Sequence, residues 1–514
     1  MSALGFWRLA AADPDACAVV DPDGSRISRG LLLAQANAVA RLLRDQGLEH
    51  GDRVVAVAAN EAVNLSVVLA CQQSGAYYVP INTALTTSEV AHILADADPV
   101  VAIASQAYTE VLAAAAGEVG FPAERRFALG GAEGFRDLLA ESKDYSAGPL
   151  EDRSPGAYLG YTSGTTGRPK GVYRRLAEGD PDDVFAAGAQ WQLGMFDIAP
   201  LNGGSNLVTS PLSHTAVSGL AVASLHFGHA VVLMERFDAE RALRLIDQER
   251  VTTTHMVPTQ LHRLLRLPAE VRSRYDVGSM RTLVHGAGPC PEEVKRGVID
   301  WFGEVVWEYY GATEAAGTVI SSGEWLERPG SVGRAQPGAQ VRILGSDNED
   351  VPTGETGRVY LRMGPRAFEY RGDPEKTRSS CVGDFVTVGD LGRLDEEGYL
   401  YLLGRSAEVV VSGGINVYPA EVEAAILSHP DVEDVGVIGV PDPEWGECVG
   451  AVVQTRPDSG LATDERSAQV ALREYLADRL ARYKVPRTVT VVQHLPRAAN
   501  GKLRKQLLVP MVRH

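Results

Sequence analysis

Cysteine is scarce and scattered. Five thiols, Cys17, Cys71, Cys290, Cys381 and Cys448, occur in 514 residues without a C-x-x-C pair, which excludes a disulfide framework and gives no zinc spacing. A reducing cytoplasm is the expected setting. Excess positive charge is also missing, since 49 Lys and Arg face 66 Asp and Glu for a net charge of −17. Nucleic-acid binding and polybasic membrane attachment both depend on a surplus of basic residues, so any anionic ligand must be held by local features. No uncharged apolar run reaches the ~18 residues that a membrane helix needs. Met1 to Val20 sets Arg8, Asp13 and Asp15 among its apolar residues and lacks the basic-then-apolar order of a signal peptide. No membrane span is expected, and this segment should stay in the mature protein.

What is present is ordinary globular material, 45% hydrophobic and 22% charged, with enough length for several domains. Strand-like and helix-like runs alternate. Arg53–Ala58, Tyr77–Ile81, Val100–Ala104, Val231–Met234, Val251–Val257, Arg281–Val284 and Glu304–Tyr309 read as strands. Ala62–Ser74, Pro291–Phe302 and Thr86–Ala97 read as helices, the last opening with a Thr86-x-x-Glu89 capping box. Such alternation predicts an α/β fold of layered subdomains with largely parallel sheets.

From about residue 330 to 403, short runs such as Gln340–Leu344, Gly357–Arg362 and Tyr399–Leu403 are separated by Gly, Pro and Asp turns, which predicts a β-rich, mostly antiparallel subdomain. A small α+β unit follows. Its expected helices are Pro419–Ser428 and Ala468–Ala481, and its expected strands are Asp434–Val440, Val449–Gln454 and Thr488–Val492. We divide the chain into a large N-terminal domain, 1–405, and a small, mobile C-terminal domain, 406–514.

The strongest chemical signal is Tyr161-Thr-Ser-Gly-Thr-Thr-Gly-Arg-Pro-Lys-Gly171, which directly follows a strand-like run. Thr162, Ser163, Gly164, Thr165, Thr166 and Lys170 supply hydroxyls, unencumbered backbone N–H groups and one cation, a set suited to a polyphosphate. It is not a Walker loop, because Arg168-Pro169 intervenes between Gly167 and the lysine. His226-x-x-His229 lacks a convincing third ligand and reads as structural.

Further stretches are Pro211-Leu-Ser-His214, His285-Gly-Ala-Gly-Pro289, Tyr310-Gly-Ala-Thr-Glu314, Gly389-Asp390, Gly404-Arg405, Ser412-Gly-Gly-Ile-Asn-Val-Tyr-Pro-Ala-Glu-Val-Glu423 and Pro496-Arg-Ala-Ala-Asn-Gly-Lys502. With the phosphate loop, in this order and spacing, the chain resembles the adenylate-forming superfamily over essentially its whole length. That superfamily contains acyl-CoA synthetases, adenylation domains of peptide synthetases and firefly-type luciferases.

The resemblance implies ATP, magnesium and coenzyme A as ligands and a small carboxylic acid as substrate. It assigns Lys502 to the substrate carboxylate and α-phosphate, Thr313 to the α-phosphate, and Glu314 to magnesium, a hard cation that prefers oxygen ligands. Tyr310 and Gly311 border adenine, with Tyr310 stacking on it, while Asp390 and Arg405 hold the ribose. Gly286, Ala287 and Gly288 cover adenine and bound the acyl pocket, where small residues allow close approach or leave volume for a wide acyl group. A tight strand-to-helix turn is an equally compatible reading of them. His214 matches a gate between the carboxylate and the thiol route, with a core histidine as the alternative. Gly413 and Gly414 would line the CoA channel, and Tyr483 and Lys484 would touch the CoA phosphates.

Three stretches depart from the family pattern. Val388 replaces the usual threonine before Gly389-Asp390. Ser213-His214 replaces the aromatic-Asp pair typical of amino-acid selectors, which makes an amino acid a poor candidate. Ala407 stands at the domain hinge, where relatives carry Asp or Lys. The expected function is ligation of a bulky apolar acid, aliphatic or terpenoid- or sterol-like, to CoA through its acyl-AMP. Alternatives are an enzyme specialised for thioesterifying acyl-AMP made elsewhere, one that loads a carrier protein, and a nucleotide sensor without turnover, which the retained Lys170, Glu314 and Lys502 disfavour. A homodimer is compatible with this reading.

Overall fold

A computed structural model describes residues 4–162, 169–364, 368–412, 414–443, 445–456, 459–462, 465–498 and 501–512. Two α/β layers form the bulk of the chain. In the first, Arg136–Asp137, Arg126–Leu129, Val101–Ser105, Arg53–Val57, Tyr77–Pro80 and Ala157–Tyr158 lie side by side in that order, all parallel. Their central members are buried on both faces, which is why they read as continuous apolar runs rather than alternating ones. The connecting helix Thr87–Ala97 begins where the sequence says it should. Glu89 N donates to Thr86 Oγ1 while Thr86 N donates to Glu89 Oε2 at 2.8 Å, a reciprocal capping box.

The second sheet has nine strands among the described residues. Its parallel centre is Ala230–Leu233, Ser205–Val208, Thr253–Met256, Thr282–His285 and Val306–Gly311. Beyond Val306–Gly311 the chain turns back, and Ala316–Ser321 and then Arg334–Ala335 add antiparallel strands. Helices Arg29–Asp45, Ala62–Gln73 and Thr215–His226 share one apolar core with strands from both sheets. Burying these faces together fixes the two layers against each other.

The β-rich subdomain is antiparallel as expected. Gly357–Met363 pairs with Ala339–Leu344 and Asp390–Leu394, and Asp390–Leu394 pairs with Leu400–Arg405. The C-terminal unit places the helices Pro419–Leu427 and Glu465–Leu476 over a sheet built on the long pair Val432–Asp442 and Gly446–Thr455, with Thr488–Val492 parallel to the latter. The second of these helices starts earlier and ends earlier than its apolar pattern suggests. Leu480 is buried in the same core after the helix has stopped at Leu476, so the periodicity runs past the helix. No helix among the described residues is long and apolar enough to cross a membrane.

The C-terminal unit rests on the large one through several specific contacts. Arg266 donates to Pro430 O and Val432 O at 3.2 and 3.1 Å, and Arg504 donates to Ala84 O at 3.3 Å. Gly501 has φ of +77° and sits so close to Thr259 that a Cβ would lie 2.6 Å from the threonine hydroxyl. Only glycine both adopts that backbone and permits the approach. Lys502, the next residue, is thereby carried to the large domain.

Candidate active site

The flanks of the candidate phosphate loop pair antiparallel, Thr162 with Lys170 and Tyr161 with Gly171. Ser163, Gly164, Thr165 and Thr166 lie outside the described residues. Lys170, at the start of the strand Lys170–Tyr173, makes a close ion pair with Asp373, whose carboxyl it holds below the usual carboxylate range. Asp373 also caps the helix Pro374–Ser379 by accepting from Lys376 N at 2.8 Å.

Glu314 and Thr313 follow the strand Val306–Gly311, just past a bulge at Tyr310 and Gly311. Arg174 donates to Thr313 O at 2.5 Å and Glu314 O at 3.1 Å and so anchors their backbone. The Glu314 side chain is buried and accepts from Tyr370 OH at 2.7 Å through Oε1. The carboxylate of Glu314 is a hard oxygen donor of the kind magnesium takes, one or two protein carboxylates completed by water and substrate phosphate.

Asp390 pairs across the sheet with Arg405. Its Oδ2 accepts from Tyr310 OH at 2.7 Å, and its Oδ1 lies 3.4 Å from Arg405 Nε. The structure therefore brings Tyr310, Asp390 and Arg405 into one cluster although 80 and more positions separate the first from the others. Lys502 lies within electrostatic reach of Arg405, Asp390 and Glu314. Crowding by protein atoms lowers its pKa first and Arg405 lowers it further, while Glu408, Asp390 and Glu314 oppose the shift. Part of its side chain still meets solvent, which moderates these effects.

His214 occupies the N-cap position of Thr215–His226. Burial, reinforced by the charge of Lys502, pushes its pKa down to about 4, so the imidazole is neutral at physiological pH. The 286–288 loop behaves differently from one that opens a wide cavity. A Cβ at Gly286 would lie 2.6 Å from the ring of Tyr309, so the volume that glycine leaves is filled by that ring. Ala287 adopts φ of +65° and carries the turn, while Gly288 faces open space. In the helix Glu292–Phe302 that follows, Lys295 is fully buried with Nζ 2.6 Å from Glu308 Oε2 and 4.8 Å from the Trp325 ring centroid. Desolvation pushes Glu308 up and Lys295 down, and their contact opposes both shifts.

On the C-terminal unit, Gly414 turns the hairpin of Val410–Ser412 and Ile415–Val417, and Gly413 lies outside the described residues. Tyr483 is exposed, while Lys484 Nζ is already engaged by both oxygens of Glu421 at 2.6 and 2.8 Å. A phosphate contact there would compete with that pair. Ala407 sits in the turn Ser406–Glu408 between the domains. Its neighbour Glu408 pairs with Lys505 at 3.0 Å, and Lys505 pairs with Glu423 at 2.9 Å. These three residues all belong to the C-terminal unit.

Away from the site, His226 Nδ1 accepts from Phe6 N at 3.1 Å, its ring stacks on Phe185, and His229 Nε2 lies 3.0 Å from Ala199 O. Sequence reasoning missed Arg174, Tyr370 and Asp373. Asp373-Pro-Glu reads locally as a helix start, and nothing in that signal points to a lysine 203 positions earlier.

The profile of the AMP-binding enzyme family matches residues 6–369, and that of the AMP-binding enzyme C-terminal domain matches residues 421–502. A feruloyl-CoA synthase from an Amycolatopsis species is 35% identical over 513 residues, covering 98% of this chain and 97% of that protein. The long-chain-fatty-acid–CoA ligase FadD13 of Mycobacterium tuberculosis is 32% identical over 511 residues, covering 98% and 97%. Among solved structures, ATP-bound MatB from Rhodopseudomonas palustris superimposes with a TM-score of 0.82 at 32% identity over 99% of both chains. Apo MatB, at the same identity and coverage, gives 0.71.

Proposed function

The chain belongs to the AMP-binding enzyme family, and on that premise we propose that it is an acyl-CoA ligase that activates a carboxylic acid with ATP and transfers the acyl group to coenzyme A. The observation that carries this reading is the convergence of Lys502 from the C-terminal unit with Glu314, Asp390 and Arg405 of the large one. CoA ligation is the activity named for the feruloyl and long-chain relatives.

In the first step a carboxylate oxygen attacks the α-phosphorus of ATP and the bond to pyrophosphate breaks. Two anions approach only if their charge is offset, and Lys502 together with Lys170 supplies fixed positive charge. Asp373 must release Lys170 for this. Asp390 accepts the ribose hydroxyls once Tyr310 turns its ring to adenine. Thr313 would touch the α-phosphate and Glu314 would hold magnesium, which offsets phosphate charge when bound. In the second step the CoA sulfur attacks the acyl-AMP carbonyl, AMP departs, and the thiol proton passes to solvent.

The C-terminal domain rotates about Ala407 between the two steps, exchanging Lys502 for the hairpin at Gly414. The closer superposition on ATP-bound than on apo MatB supports reading the present arrangement as the adenylating one. The five cysteines are all free, which supports a reducing, cytoplasmic setting. A panel of carboxylic acids offered with ATP, magnesium and CoA, analysed by mass spectrometry, tests the reading. Thioester and AMP are the expected products. Acyl-AMP that is never captured by free CoA would transfer the assignment to a carrier-protein ligase.

A further inference from the structure

The helix Pro258–Leu265 of the large domain meets the C-terminal domain at both of its ends. At its start, Thr259 lies against Gly501, the residue that leads into Lys502. At its end, the C-cap residue Arg266 reaches across, with Nη1 donating to Pro430 O at 3.2 Å and Nη2 to Val432 O at 3.1 Å. About 10 Å of helix axis separates the two contacts, at the ordinary rise per residue. A single contact would leave the smaller domain free to pivot, whereas two at that separation also fix its tilt.

The helix is a rigid seat. Leu261 and Leu264 are fully buried in the core beneath it. Gln260 is buried too, its Oε1 accepting from Val257 N at 3.1 Å and its Nε2 donating to Thr209 O at 3.0 Å and Ser210 Oγ at 3.1 Å. A buried amide satisfied on both its oxygen and its nitrogen holds one geometry. Arg266 is itself pre-set, because its Nε donates to His262 Nε2 at 3.0 Å, one turn earlier on the same helix, and the guanidinium is a planar fork. On the receiving side, Val432 opens the strand Val432–Asp442 where its register with Gly446–Thr455 shifts. Such an irregularity disrupts the ladder locally and leaves backbone groups to other partners.

Among the described residues Arg266 pairs with no carboxylate, and both of its terminal nitrogens are spent on the other domain. Ala407, by contrast, presents an exposed methyl that favours neither orientation. Resting on the ligase reading above, we infer that Arg266 is a positioning residue that latches the C-terminal domain in the orientation presenting Lys502. The balance between adenylation and thioester formation is then set on the helix Pro258–Leu265 and not at the hinge. Rotation for the second step takes Pro430 and Val432 away from the guanidinium, so the latch opposes that step as much as it supports the first.

The test uses the acid that the panel identifies and its synthetic acyl-AMP. Acid-dependent pyrophosphate exchange and CoA capture of the acyl-AMP are measured in the native chain, Arg266→Ala, Arg266→Lys and Arg263→Ala, the last removing an exposed arginine of the same helix. The two rates follow the populations of the two orientations. Their ratio, exchange over capture, should fall about tenfold in Arg266→Ala, the scale of one hydrogen bond from a charged donor, with capture undiminished. Arg266→Lys, which lacks the fork, should fall between, and Arg263→Ala should keep the native ratio. An unchanged ratio in Arg266→Ala, or equal losses in both assays, would overturn the inference, and should that variant fail to fold, Arg266→Lys decides by the same criterion. If the native chain performs neither reaction while folded by circular dichroism, the ligase reading itself fails and the inference with it.

Discussion

Tyr370 OH donates a 2.7 Å hydrogen bond to Glu314 Oε1, joining the loop that carries Asp373 to the carboxylate proposed for magnesium. The bond fixes one oxygen of Glu314. Burial and the neighbouring carboxylate push the Tyr370 phenol up, so it stays protonated and remains a donor.

We predict that Glu314→Gln raises the magnesium concentration needed for half-maximal pyrophosphate exchange by about tenfold or more. Tyr370→Phe should raise it by less, since a hydrogen bond to a charged group contributes roughly 1.5–3 kcal/mol in total and only part concerns metal affinity. A metal titration of each variant checks this, and an unchanged requirement in both would reject the assignment.

Lys502 should matter to one half-reaction. Lys502→Ala is expected to lower acid-dependent pyrophosphate exchange by about 10²–10³ while sparing much of the CoA capture from supplied acyl-AMP. Equal losses in the two assays would contradict the charge-offset role.

The pH profile follows from the same lysine. Its charged form is required and its folded pKa is lowered, so charge is lost as pH rises through a value below the ~10.4 of an ordinary lysine. The kcat/KM of exchange, which reports the free enzyme, should fall on that alkaline side, and Lys502→Arg should abolish the fall while retaining some activity. His214, already neutral above about 4, should add no step between pH 5.5 and 8.

Ala407, at the proposed hinge, still permits backbone rotation, while the neighbouring pair of Glu408 and Lys505 lies within the C-terminal unit and does not bias it. Both half-reactions should therefore proceed, with Ala407→Asp shifting their ratio by about fivefold at most, the effect of an exposed contact. Proline at this position fixes φ near −65° and should impair whichever orientation rejects it. Separate exchange and CoA-capture assays decide, and exchange below detection with intact capture in the native chain would favour the thioesterification specialist.

The buried pair of Lys295 and Glu308 is a stability element. Lys295→Met leaves an unpaired carboxylate in the core and should cost about 3–5 kcal/mol in urea unfolding, whereas the double variant with Glu308→Leu should recover most of that loss. No recovery would show that packing around Trp325, rather than charge, sets the cost.

Much of the site could be named from the chain alone, because its chemistry is concentrated in short stretches. Tyr310, Thr313 and Glu314 share five residues, and Lys502 lies in a Pro-Arg-x-x-Asn-Gly-Lys frame. Parallel strands buried on both faces, turn-separated antiparallel strands and a reciprocal cap at Thr86 are likewise local patterns, and each is found where its pattern lies. Local order carries such information because backbone conformation and burial periodicity are properties of neighbours.

Partnership between distant residues is another matter, and only tertiary packing decided it. Asp373 meets Lys170 across 203 positions, and Tyr370 meets Glu314 across 56. What occupies the space beside Gly286 also fell to packing. Gly286 has the same sequence signal whether its missing side chain leaves a cavity or admits a neighbour, and the registration of two strands put the Tyr309 ring into that space. A side chain's absence is written in the sequence, but what fills the volume depends on which strand lies beside it.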